Sequence, residues 1–505
     1  MSYQVFGNPA FPYGTTSRLY GSGASSDTVT YWTIEVDWDN AGTYSGQSEA
    51  LYCIGFESNR GRTTKFEVGS NGDFIGYKMP DVGTCRITLD NSTRRFDPYY
   101  TSGALYGKLL PGRFIKVRVT YQGVTYPIFH GNISKITPYD NVERPTVVLD
   151  CEDGKRWLMN TETNTNTMSG DGVLPGTTPG FDDWATIADT LMTAVYPTRF
   201  GGVVSYPYTG SPRPAQYSYT LGTQSAITVL NDFAGSRSNL WWIAADGVLW
   251  IMTMQNFDNF PSATPTITES NTLKQFAVPV PWDEIVNVNK SYYYVYKTVT
   301  GHVMWTGTEV PLVAAGASTT YFPQATYNNT TVPSGIASAT ISITANTAAD
   351  GSGTDLSASF SGVISAADAI GCILTVTNNH GSLSGYITAI TLTGTVYAPE
   401  RKLLETRDEA SIAIYGERRV ILDNRMNNDG FYSYLGSRVD SPNIQVMLQA
   451  RPSEQFAFDL FYEVDTTISK YNITNDPRLV GFISHKWLDQ SGQNVLTTLR
   501  LEEEK

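Results

Sequence analysis

Short stretches in which apolar and polar residues alternate limit what this chain can fold into. Trp32-Thr-Ile-Glu-Val-Asp-Trp-Asp, Cys85-Arg-Ile-Thr-Leu-Asp and Phe114-Ile-Lys-Val-Arg-Val-Thr each repeat with period two, the signature of a half-buried strand. Strand-like segments follow one another closely between residues 30 and 155, separated by Gly-containing turns such as Asn40-Ala-Gly42 and Gln122-Gly123. Thr125 to Phe129, Ile133 to Ile136 and Thr146 to Cys151 read as separate strands. Such spacing predicts a barrel or sandwich.

A helical period enters at Phe181 to Val195, where Trp184, Ile187, Ala188 and Leu191 share a face and Asp182 and Asp183 sit at the favourable end of the helix dipole. A second helix is expected over Ser225 to Ala234, followed by a hairpin, Leu240-Trp-Trp-Ile and Val248-Leu-Trp-Ile-Met, turned by Asp246-Gly247. Helix, helix, hairpin is a small α+β unit. Strands follow at Glu284 to Lys290, Tyr292 to Val299 and Val303 to Trp305. Residues 310–400 are rich in Thr, Ala, Ser and Gly, almost free of Lys and Arg, and read as an inserted β-sandwich. The expected divisions are an extended arm at 1–30, a first barrel at 31–160, the α+β domain at 161–280, a second barrel region at 281–309 and 401–505, and the insert at 310–400. Glu502 to Glu504 reads as a solvated acidic end.

Charge excludes several functions. Only 16% of the 505 residues are charged and the net charge is −13, which disfavours a sequence-reading nucleic-acid binder. No apolar run is long enough to span a bilayer as a helix, and Met1-Ser-Tyr-Gln lacks the basic and apolar parts of a signal peptide. Cys53, Cys85, Cys151 and Cys372 show no metal-site spacing and read as reduced, buried thiols; a Cys53–Cys85 disulfide cannot be deduced or dismissed from spacing.

No catalytic, cofactor or metal residues emerge. Asp37 and Asp39 fall on one strand face about 6–7 Å apart, inside the range of a glycosidase pair at about 5–10 Å, but they read as the end of a strand before the Asn40-Ala-Gly42 turn. Glu152-Asp153 before Gly154 reads as turn chemistry, and His130 and His485 as strand histidines. Trp241-Trp242 could offer a sugar platform, yet adjacent strand residues face opposite ways, so at least one belongs to the core. The basic, aromatic loop holding Arg94, Arg95, Phe96, Tyr99 and Tyr100 is the candidate interface, since Arg and Tyr are enriched where proteins meet.

Several segments then fall into a recognisable order: Leu109-Leu-Pro-Gly-Arg-Phe-Ile-Lys-Val-Arg-Val, Tyr126-Pro-Ile-Phe-His-Gly-Asn-Ile, Val148-Leu-Asp-Cys-Glu-Asp-Gly, Ile227-Thr-Val-Leu-Asn-Asp-Phe-Ala with Leu240-Trp-Trp, Tyr386-Ile-Thr-Ala-Ile-Thr-Leu-Thr-Gly, Ser411-Ile-Ala-Ile-Tyr-Gly-Glu-Arg and Gly481-Phe-Ile-Ser-His. This succession resembles the tail hub (baseplate hub or minor tail) proteins of long-tailed bacteriophages, related to hubs of contractile injection systems. It covers roughly 30–300 and 385–505. The resemblance implies a mainly β fold with two hub-type barrels beside the α+β unit, and a non-enzymatic virion protein at the tail tip, assembled in the host cytoplasm. It further implies a homotrimer whose six barrels match a hexameric tube. The implied partners are a distal tail protein or tail tube above, tip or fibre proteins below and a tape measure protein in the lumen, with no cofactor. The acidic balance would line the channel with negative charge and keep DNA from sticking. The competing expectation is a carbohydrate-binding or glycan-degrading host-recognition protein, resting on the Trp, Tyr and Asp pairs.

Overall fold

The computed structural model describes residues 31–44, 48–64, 66–70, 73–140, 144–164, 184–206, 223–237, 240–252, 266–270, 272–278, 285–324, 326–327, 330–331, 337–365, 372–423, 446–450 and 455–503. The expected arm at 1–30 and the Asp182-Asp183 pair lie outside them.

The chain is mainly β, with a small α+β unit and a β insert. Its largest element is a 12-stranded sheet that draws on both ends of the sequence. In order it runs Tyr31–Val36, Phe114–Tyr121, Val124–Tyr139, Thr146–Asp153, Thr84–Asp90, Cys53–Gly61, Ile473–Trp487, Val495–Glu503, Val446–Ala450 and Thr272–Ala277, with Glu463–Ile468 and Ile267–Thr268 attached at the side. Pairing among the described residues does not close this path into a ring. The two barrel-like regions are therefore continuous through one seam, where Glu57–Gly61 pairs antiparallel with Phe482–Lys486.

Alternation places the two cores. Ile34, Val36, Cys85, Ile87, Leu89, Ile115, Val117 and Leu149 fill one, together with Trp487 and Val495 from the far end of the chain. Phe66, Phe74, Val286, Phe461, Val480, Ile483, Leu499 and Leu501 fill the other. Strands Ile473–Trp487 and Val495–Glu503 contribute to both cores. All four cysteines are buried, and none of them is in a disulfide.

Some local readings change. Gln122 and Gly123 do turn a hairpin, both at positive φ (51° and 78°), as a type I′ turn requires. Beyond it, however, Val124–Tyr139 is one strand of 16 residues, because the expected break at Gly131 is absorbed by a register shift between Ile133 and Lys135. Val288–Thr306 is likewise one strand of 19 residues, not three pieces. Asp153 is not a turn residue: it ends a strand and caps a helix, Gly154–Asn160, by accepting from the Lys155 N–H. Leu51 and Tyr52 close a 3-10 turn, Glu49–Tyr52, and the strand begins at Cys53.

The α+β unit holds helices Trp184–Val195 and Ala226–Arg237 and the hairpin Leu240–Ile243 with Leu249–Met252. Trp241 and Trp242 are both buried, on opposite faces of one strand. Trp241 joins Leu191, Met192, Val229 and Leu230 in the α+β core. Trp242 joins the second sheet core, stacked on Trp250 at 5.6 Å and tilted against Phe461 at 5.0 Å. The hairpin is thus a partition between two cores, so a Trp on each face is needed for packing.

The insert is a two-sheet sandwich. Leu312–Val313, Ala337–Asn346 and the near end of Gly385–Arg407 form one layer, and Ser318–Tyr321, Ile373–Asn378 and Phe360–Ser365 the other. Val313, Tyr321, Phe360, Leu374, Val376, Ile387 and Ile390 fill the space between. The long strands Val288–Thr306 and Gly385–Arg407 run antiparallel from this sandwich back to the body.

The seam carries buried charge. Arg60 Nη1 lies 2.6 Å from Asp459 Oδ1, and Asp459 Oδ2 accepts from the Ala245 N–H at 2.8 Å. Two residues on, Arg62 and Arg500 both grip Glu502: Arg62 through Nε and Nη2, and Arg500 Nη2 at 2.8 Å. Glu502 is therefore not a solvated end; its side chain is 2% exposed. Two glycines make room. A Cβ on Gly481 would stand 2.1 Å from Glu502 Oε1, and one on Gly61 would stand 2.4 Å from the Gly481 carbonyl. Substituting Glu502→Ala strips the partner from two buried guanidinium groups, and a loss of about 3–5 kcal/mol in unfolding free energy is expected from denaturant titration. A change under about 0.5 kcal/mol, the size of an ordinary surface substitution, would restore the solvated reading.

Candidate assembly surface

The loop that joins strand Thr84–Asp90 to strand Phe114–Tyr121 is built from successive tight turns. Backbone N–H groups of Arg94, Asp97, Tyr100, Gly103, Tyr106 and Lys108 each donate to the carbonyl three residues back. Buried Phe96, Leu105 and Leu109 nail it to the first sheet core. A loop satisfied and anchored in this way holds one shape, which lowers the entropy lost on docking.

The five candidate residues have different fates. Phe96 is core, fully covered, and its N–H donates to Asn91 Oδ1 at 2.8 Å. Arg95 is structural: Nη2 lies 2.8 Å from Glu49 Oε1 and Nε 3.2 Å from Oε2, a bidentate pair, with the rings of Tyr52 and Phe96 beneath the guanidinium. Glu49 is buried and also accepts from Trp38 Nε1 at 2.9 Å. Arg94 lies over the Tyr100 ring at 4.4 Å and bonds Asp97, holding that carboxyl below its usual range. Tyr99 projects furthest outward, 81% exposed, beside the Arg94 side chain at 57%. The sequence reading missed Tyr106 and Leu110, which the same loop exposes by about half (51% and 50%). Their neighbours Leu105 and Leu109 are buried, so a two-residue apolar run with one member in and one out was the available signal.

One member of each acidic pair is committed to the backbone and the other to a cation, Glu152 to Arg156 at 3.2 Å. Asp37 is 1% exposed and accepts from the N–H groups of Ala41 (2.9 Å) and Gly42 (2.8 Å), while Asp39 pairs with Lys108 at 2.6 Å. Asp153 accepts from the N–H groups of Gly83 and Lys155; burial nevertheless pushes its carboxyl up to about 7. His485 lies inside the sheet with Nδ1 2.8 Å from Thr497 Oγ1, and burial pushes it down to about 3. His130 stands between the first sheet and the 244–248 turn.

No helix among the described residues is long and apolar enough to cross a membrane, which says nothing of strands. No family model and no curated protein matches the chain. Solved structures similar to it include tail proteins of prophages and bacteria. The 43 kDa tail protein of prophage MuSo2 from Shewanella oneidensis is 9% identical, covering 94% of this chain and 98% of that one, with a TM-score of 0.44. A tail protein from Neisseria meningitidis MC58 is 8% identical over 94% and 96%, with a TM-score of 0.46. Prophage tail protein gp18 from Listeria monocytogenes EGD-e is 7% identical over 93% and 94%, with a TM-score of 0.42.

The division of the loop into anchor and surface is measurable. Arg95→Ala leaves Glu49 buried without its cation and is expected to cost about 3 kcal/mol or more. Tyr99→Ser should leave the denaturation midpoint of the isolated chain unchanged within about 0.5 kcal/mol. Equal losses in both would mean that Tyr99 packs internally.

Proposed function

We propose that this chain is a non-enzymatic assembly protein of a phage tail: a trimeric hub that joins the tail tube or distal ring to the tip or fibre and surrounds the path of the DNA. The observation that carries the reading is the seam. Four of the segments that resemble tail hubs, 109–119, 126–133 and 148–154 near one end of the chain and 481–485 near the other, converge on one continuous 12-stranded sheet, while 386–394 lies in a second sheet and 411–415 in the helix Glu409–Tyr415. The 227–252 segment lies against it, sharing Leu240, Trp242 and Met252 with its second core. Two barrel-like regions per subunit suit a threefold object that must meet a sixfold tube. The Asp37 and Asp153 carboxylates, the best acid candidates, are held by backbone N–H groups and serve as caps. A tail tip in the virion, with a negatively charged lumen from a chain of net charge −13, completes the proposal.

Light scattering on the purified chain, alone and mixed with its tail neighbours, should give three times the monomer mass. Tyr99→Ser combined with Tyr106→Ser should weaken that association while the monomer still folds. A monomer under every condition, including inside assembled particles, would refute the hub. Release of sugar from host wall glycan by the pure protein would instead establish an enzyme.

A further inference from the structure

We propose that His130 is an acid-released latch that holds the α+β unit against the first sheet. The imidazole sits in strand Val124–Tyr139, 2% exposed, with its two nitrogens bonded to two different parts of the chain. Nδ1 is 2.7 Å from the backbone carbonyl of Asp246, at the tip of the α+β hairpin, and Nε2 is 2.8 Å from the Tyr44 hydroxyl. A carbonyl only accepts, so Nδ1 carries the proton and Nε2 accepts from the Tyr44 O–H. This arrangement belongs to the neutral ring.

The turn is fitted closely to the ring. Gly247 has φ of +88°, and a Cβ there would stand 2.5 Å from His130 Nδ1 and 2.2 Å from the Phe200 carbonyl. The Tyr196 hydroxyl donates to the Gly247 carbonyl at 2.7 Å, and the Phe200 ring lies 5.7 Å from the imidazole. The charged and titratable groups around it come from every neighbouring element. Lys116, on strand Phe114–Tyr121, is directly opposite His130, with its Nζ 4.3 Å from the Tyr44 ring centre. Glu35, Asp37 and Arg199 act on Tyr44, Asp246 lies in the turn, and Asp153 acts on Tyr196.

Protonation would turn Nε2 into a donor and bury a second cation beside Lys116. Burial outweighs the Nδ1–H bond to the Asp246 carbonyl, which survives in the cation and favours it, and with Lys116 acting the same way holds the imidazole down at about 4, against 6.5 when unfolded. A depressed histidine contributes stability that is complete above the unfolded value and is lost as pH falls through the folded one. The window for release is therefore pH 6.5 down to about 4. Asp246 and Asp153 are both pushed up by burial and act in the opposite direction, so the variants must isolate the histidine. His485 is also depressed, but it lies inside the 12-stranded sheet and would loosen that sheet, not the junction.

Hydrogen exchange by mass spectrometry on the full chain at pH 7 and pH 4.5, corrected for intrinsic rates, tests the latch. In the wild type, amides of 196–203 and 244–252 should open more at pH 4.5 than at pH 7, by at most about fifty-fold because Asp246 and Asp153 oppose the histidine, while 84–90 and 146–153 stay protected. In His130→Gln the same amides should open no more at pH 4.5 than at pH 7, since only the opposing carboxyls remain. Tyr44→Phe removes the O–H that favours the neutral ring, so its opening midpoint should move to higher pH; this variant serves if His130→Gln does not fold. No extra opening in the wild type, equal opening in every sheet, the wild-type pH response in His130→Gln, or an unmoved midpoint in Tyr44→Phe would each overturn the proposal.

Discussion

Everything in the body depends on how strand Cys53–Gly61 is held against strand Ile473–Trp487, because among the described residues that pairing alone carries the main sheet from one core to the other. Three arginines and two acids concentrate there. Buried ion pairs are weak evidence for net stability, since desolvation offsets most of the attraction. Their value here is selective. Arg62 and Arg500 both require Glu502, and Arg500 also donates to the carbonyls of Arg62 and Thr63. A one-residue slip would place these cations among apolar side chains of the second core. The cluster therefore fixes the register in which residues about 440 positions apart meet.

The same seam explains what could be read in advance and what could not. Alternation located most strands, because the period-two pattern is a local consequence of having one covered face. It located the α+β hairpin too, since Asp246-Gly247 sets that turn by its own backbone preference, with Gly247 at positive φ. Glu502 escaped because nothing near it in sequence marks it as buried. Three acids at the end of a chain are ordinarily solvated, and the cations that cover Glu502 come from residue 62 and from two residues before it. Helix Gly154–Asn160 escaped for another reason: seven residues carry too little periodic signal to separate from a turn.

The candidate loop was half legible. Its composition marked Arg94 to Tyr100 as unusual, but composition does not tell an anchor from a surface. Arg95 and Phe96 are adjacent to exposed residues and yet belong to the packing, Arg95 because a buried carboxylate requires it. Glu49 and Trp38, which decide this, lie some 46 and 57 positions upstream, counted from Arg95. The pattern of Leu105 and Leu109 in, Tyr106 and Leu110 out, follows from the repeated turns and could be seen only once those were in place.

Charge is partitioned in a way that fits this construction. From Thr298 to Glu400 the sequence has no Lys or Arg, and many outward strand positions of the insert, such as Thr340, Ser342, Thr344, Ser361 and Ser365, are hydroxyls, with Leu312 and Val363 as apolar exceptions. The body instead uses its cations internally: at the seam, under the loop and across the ladder of Lys290, Glu405, Arg407, Glu409 and Glu417. Cations already committed to carboxylates of the same chain have little left to offer phosphate. Positive charge spent in this way serves the fold itself, fixing strand register at the seam and anchoring the 91–113 loop to the first core.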